Sequence, residues 1–218
     1  MAEQFKAISI DDFNVIIEAQ NTLNKKYSGE DWMEKIPKSH FLMAALAEYG
    51  ELLESSPRTG DTETGWKWWK PYLENDENNI KIEVVDILHF LTSALILTYE
   101  GVRQLSIDYN ACSTAFSEEE NILDSEASSG PAFDLLTTIS VFMLTALSAS
   151  REEALNTFMF VINALCDYSG MDPSEIAELY MKKNELNHKR VDGGYMESED
   201  AYEKIDSDGN EDNVQLFD

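Results

Sequence analysis

The stretch KIEVVDILHF, residues 81–90, decides the fold. At about 100° per residue, Glu83, Asp86, Phe90, Ala94 and Leu97 share one side of a helix over 80–99. Val84, Leu88, Leu91 and Leu95 cover a second side, and Val85 and Ile96 a third. A helix that is apolar all round is buried all round. Glu83 and Asp86, one turn apart, are therefore no solvated face, and buried carboxylates must be protonated, paired or bound to a cation. His89, one turn beyond Asp86, reads as a core histidine and stays outside the metal set.

Working back along the chain, MAALAEYGELLES (43–55) repeats the pattern: Glu48 and Glu51 lie one turn apart, on a stripe with Ala44 and Ser55. Leu42, Leu46, Tyr49 and Leu53 form the core-facing stripe beside it. The small residues leave room next to the acids. Two antiparallel helices, each with acids at i and i+3, bring four carboxylates together, and four anions repel unless cations sit among them. An all-oxygen set without Cys or His favours Mg²⁺, or Mn²⁺, over zinc. A single ExxE is common on exposed helices. An ExxE followed one helix hairpin later by ExxD on an apolar helix is far more specific.

The remaining chain also reads as helix. Ser9 is an N-cap candidate with Asp12 three residues later, for a helix ending at Gly29. A second helix begins near Ser39 and stops before Pro57, and a third runs over about 79–100. Helical spacing returns in AFDLLTTISVFMLTALS (132–148), then after a Ser150–Glu153 capping pattern, then after Asp172-Pro173-Ser174-Glu175. No period-2 strand stands out. The fold class is all-α, a helical bundle. One domain is expected over 1–196, with 102–131 as an acidic loop or insert and 197–218 as an acidic flexible tail. DSDGNEDN (206–213) begins like a calcium loop, but Glu211 stands where that loop needs Gly and Phe217 where it needs Glu.

At 218 residues the chain is long enough for a substantial core, and its formal charge of −26 is extreme. Such a surface repels nucleic-acid backbones and anionic membranes, so neither is an expected partner. Two cysteines make no disulfide framework, the N-terminus has no apolar segment of signal type, and 87–99 is too short to span a bilayer. A cytoplasmic protein is expected.

The two acid pairs resemble the signature of the all-α nucleotide pyrophosphohydrolase superfamily, and more narrowly that of the dimeric dUTPases and the phage dCTPase–dUTPases. Three further stretches carry the resemblance: QNTLN (20–24), GWKWWK (65–70) and YMKKNELNHKRVDGGY (180–195). The resemblance implies a magnesium-dependent homodimer that hydrolyses dUTP to dUMP and pyrophosphate, with dUDP as a further substrate. Glu48, Glu51, Glu83 and Asp86 would hold the metal, and Glu48 or Glu51 would activate water. Gln20, Asn24 and Trp68 would contact the base, since an amide carries donor and acceptor and an indole stacks. An amide that can flip would read either pyrimidine, which leaves a dCTP/dUTP enzyme as an alternative. Lys183, Asn187 and Arg190 would bind phosphate on a lid, with Lys70, Asn184 and Tyr195 as further candidates. Two departures stand out: PRTGDTET (57–64) lengthens the loop before the Trp motif, and Met196 stands where the family has a basic residue. A non-catalytic scaffold on the same fold is the alternative of another class, though a scaffold gains nothing from buried like charges.

Overall fold

The computed structural model describes residues 7–56, 66–67, 74–112, 130–148, 150–195 and 212–217. These residues form α1 (Ile10–Ser28), the single turn α2 (Trp32–Lys35), α3 (Lys38–Ser55), α4 (Glu77–Tyr99), α5 (Val102–Cys112), α6 (Pro131–Ser148), α7 (Arg151–Ser169) and α8 (Pro173–Asp192). A 3₁₀ helix follows at Asp212–Phe217. No strand occurs among the described residues, and the fold is an all-α bundle.

α1, α4, α7 and α8 start where short polar side chains satisfy orphan backbone donors. Ser9 accepts from the Asp12 amide at 3.1 Å. Asp172 accepts from the Ser174 and Glu175 amides while Glu175 returns a bond to the Asp172 amide, a complete capping box with Pro173 inside it. α4 begins two residues earlier than its sequence suggests, because Asp76 supplies the cap by accepting from Asn79.

α4 is the central helix. It packs against α1, α3, α5, α6, α7 and α8, with Val84, Val85, Leu88, Leu91, Leu95 and Ile96 all essentially without exposure. Each such side chain contributes roughly 1.5–3 kcal/mol of burial free energy. α3 and α4 make an antiparallel hairpin. Asp76 N–H donates to Ser55 O at 2.9 Å, closing the end of α3 onto the start of α4, and two turns further in Glu48 meets Glu83. α6 and α7 form a second hairpin. α1 lies along α8, pinned at one end by Lys26, which pairs with Asp192 and donates to His188 O.

Two boundaries differ from the sequence reading. The stretch 102–131 does not start as an acidic insert: α5 covers its first eleven residues, with Leu105 and Tyr109 wholly buried. Tyr109 stacks on Phe13 at 3.6 Å and donates to Ile8 O at 2.6 Å. The tail likewise ends in structure. Asp212–Phe217 packs on α8, with Leu216 buried, because Leu216 offers an apolar anchor and Asp212 an ion-pair partner for α8. Residues 113–129 and 196–211 lie outside the described residues.

Candidate active site

The α3–α4 hairpin brings Glu48, Glu83 and Asp86 together, one oxygen of each lying within 4.8 Å of the others. Glu83 is only 5% exposed and Glu48 half-buried. Burial, and next the charge of Asp86, raises both carboxyls above the ordinary carboxylate range. Glu83 Oε2 is buried with no hydrogen-bond partner. An orphaned buried carboxylate oxygen among like charges is what a divalent cation satisfies, so these residues fit one. Glu51 stands apart from the triad: it is exposed at the mouth, although it lines the same cavity.

That cavity holds about 490 Å³. Of the residues singled out from sequence it gathers Gln20, Asn24, Glu48, Glu51, Glu83, Asp86, Lys183, Asn187, Arg190 and Tyr195 around one space. Asn184 is buried but does not line it, and its Nδ2 has no partner. Trp68 and Lys70 lie outside the described residues. Trp66 behaves as a staple: its Nε1 donates to Leu53 O at 2.8 Å and ties the segment after α3 back onto that helix.

The cations arrive already engaged. Lys183, on α8, is buried and pairs with Asp86 at 2.7 Å. Its Nζ also donates to Asn213 Oδ1 at 3.0 Å. Arg190 grips Asp212 through Nε at 3.0 Å and Nη2 at 2.6 Å, and donates from Nη1 to Asn187 Oδ1 at 3.1 Å. Asp212 and Asn213 thus belong to the site, and Asn213 lines the cavity. Sequence reading placed both in the acidic tail; their only signal was an Asp-Asn pair before an apolar Val214 and Leu216.

On the other wall, Gln20 and Asn24 are both buried on α1, one turn apart, and face α4. Gln20 Nε2 donates to Asn24 Oδ1 and to Ser93 Oγ, each at 3.0 Å, and Asn24 Nδ2 donates to Ser93 Oγ at 3.0 Å. Tyr180 Oη donates to Gln20 Oε1 at 2.5 Å. His89 lies between these groups and the acids. Its Nδ1 donates to Val85 O at 2.8 Å, its ring stacks on Tyr180 at 3.8 Å, and burial pushes its pKa down to about 4, so the ring is neutral. Phe90 and Phe41 add apolar surface to the cavity. Neither Ser93 nor Tyr180 announced itself: a serine inside an apolar helix reads as a small packing residue.

One cavity therefore joins an acidic cluster suited to a divalent cation, two buried cations and a set of amides beside aromatic surface. That combination suits a ligand with a polyanionic end and a planar hydrogen-bonding end. No curated protein matches the chain. A family model described as dUTPase matches residues 12–195, a span that includes α1 to α8 apart from Ile10 and Asp11 at the start of α1. The chain belongs to the dUTPase family of nucleoside triphosphate pyrophosphohydrolases.

Proposed function

We propose that this chain is a magnesium-dependent hydrolase of dUTP, releasing dUMP and pyrophosphate, and that it also accepts dUDP. The observation that carries the reading is the meeting of Glu48, Glu83 and Asp86 at the wall of a cavity that also contains Lys183, Arg190 and Asn24. Magnesium, when bound, neutralises phosphate oxygens and lowers the pKa of a coordinated water. Glu83 and Asp86 from α4 and Glu48 from α3 would hold it, with Glu51 completing the set from the mouth. Mn²⁺ suits the same oxygen ligands.

The protein's own groups do the rest. Glu48 or Glu51 orients the attacking water and takes its proton. Lys183 balances Asp86 and, with Arg190, counters charge on the leaving phosphates. Asn187 and Tyr195 close the phosphate end. His89 stays neutral and shields the acids from the base side. The base lies against Asn24, with Trp68 as the stacking partner that the family resemblance implies. In a chain of formal charge −26 these two cations are what makes a polyanion welcome.

A homodimer is part of this reading. Phe133, Val141, Leu144 and Leu147 follow one another along one stripe of α6 and stay exposed, Leu144 at 69%. Exposed apolar side chains on one side of a helix favour self-association.

The test is pyrophosphate release from dUTP, dCTP, dTTP and dATP, with Mg²⁺ and with a chelator. Selective release from dUTP that the chelator abolishes is the expected result. Release from none of the four would overturn the reading.

A further inference from the structure

Ser93 and Tyr180 have no part in the chemistry above, yet both are bonded to the amides on the base side. The polarity of that network is self-consistent, every donor meeting an acceptor. Ser93 Oγ donates its one proton to His89 O at 3.0 Å, and a backbone carbonyl can only accept. Ser93 Oγ must therefore accept from both neighbours, which turns the NH₂ ends of Gln20 and Asn24 towards it. With Gln20 Nε2 spent on Ser93 and on Asn24 Oδ1, its carbonyl faces the other way, where the Tyr180 hydroxyl donates to it. The Tyr180 ring is held flat against His89 and has no exposed surface, so the donor does not swing away. Reversing one amide alone would set the two oxygens, or the two NH₂ groups, of Gln20 and Asn24 against each other inside the core, which costs a buried group its bond.

Gln20 has then used both its N–H groups inside the protein. Asn24, which lines the cavity, keeps one N–H and one oxygen lone pair beyond the network. Uracil and cytosine differ by reversal of the donor and acceptor at their N3 and C4 edge. An amide that flips serves both; an amide that is fixed serves one. We propose that Ser93 and Tyr180 are positioning residues that lock the Gln20–Asn24 amides and thereby set the discrimination between uracil and cytosine nucleotides at this site. The proposal rests on the reading of the cavity as a pyrimidine nucleotide site, and it refers to the base-reading amide, not to the metal or the phosphates.

The experiment compares kcat/KM for dUTP and dCTP in the full chain, in Tyr180→Phe and in Ser93→Ala, with dUMP and dCMP affinities by calorimetry. Tyr180→Phe keeps the ring and its stack, so it remains informative if Ser93→Ala does not fold. The expected result is a wild type that prefers dUTP and variants whose dUTP to dCTP ratio shrinks by about tenfold or more, the worth of one hydrogen bond to the base. A ratio unchanged while both substrates slow alike overturns the lock and leaves the two residues as packing. A wild type that treats both nucleotides equally also overturns it. A wild type that neither turns over nor binds any of the four nucleotides overturns the pyrimidine reading itself, and the lock with it.

Discussion

At Glu83 the folded chain holds a proton more tightly than the unfolded chain does, because burial and then the charges of Asp86 and Glu48 penalise its ionised form. The sign of the consequence follows. Below the ordinary carboxylate value of 4.5 the folded and unfolded forms are both protonated and nothing is lost. As pH rises from there through the raised folded value, the unfolded chain releases the proton first, and stability falls. Glu48 acts in the same direction. Without divalent cation, thermal melts from pH 4 to 9 should therefore show Glu83→Gln with a flatter stability profile than the parent. The difference is expected to approach roughly 1.4 kcal/mol per pH unit at its steepest. Adding Mg²⁺ should stabilise the parent and not the variant. A parent whose profile matches that of Glu83→Gln would remove the case for strain at the acid cluster.

At the scale of elements, the 3₁₀ helix Asp212–Phe217 is held to α8 by charge more than by apolar contact: Arg190 and Asp212 form a nearly buried pair, and Leu216 is the one buried apolar side chain of the element. Taking away one partner of such a pair strands the other. Asp212→Ala is expected to cost on the order of 3 kcal/mol and lower the midpoint of chemical denaturation. It should also weaken the hold on Lys183 that Asn213 supplies. This element also marks the limit of what could be read from sequence. The long helices were legible because Ser9, Ser150 and Asp172 are caps with a local mechanism, and the acid pairs because Glu83 and Asp86 break an otherwise apolar period. α5 was not, since Leu105 and Tyr109 are the buried anchors among its described side chains, set in a polar run. Nor were Asp212, Ser93 and Tyr180, whose partners lie 22, 73 and 160 residues away in the chain. Local pattern carries no information about bonds of that span.

Across the whole molecule the acidic surface and the apolar α6 stripe pull in opposite directions. A formal charge of −26 pushes copies apart, while Phe133, Val141, Leu144 and Leu147 gain by leaving water. α6 is also the one described helix long and apolar enough to cross a bilayer, with a mean hydropathy of 1.5, and it packs against α7, α3 and α4 within the bundle. Self-association through this stripe predicts a dimer that tightens with salt, because screening weakens the repulsion and leaves the apolar term. Light scattering should find Leu144→Glu monomeric at concentrations where the parent is dimeric, with its melting behaviour as an isolated chain unchanged. A parent that is monomeric at every salt concentration would sink the dimer.

Cys166 sits in α7 with no exposed surface, on a hairpin that contributes none of the acids. A thiol reagent reaches it only when that part of the bundle opens, so the rate of its labelling is a clock for opening. Run with and without divalent cation, the clock distinguishes two kinds of molecule. If labelling slows when the cation binds, the α6–α7 hairpin breathes in step with α3 and α4, and occupancy of the site is felt throughout the bundle. If the rate holds, the two hairpins open as separate units, and the acid cluster stiffens only its own half.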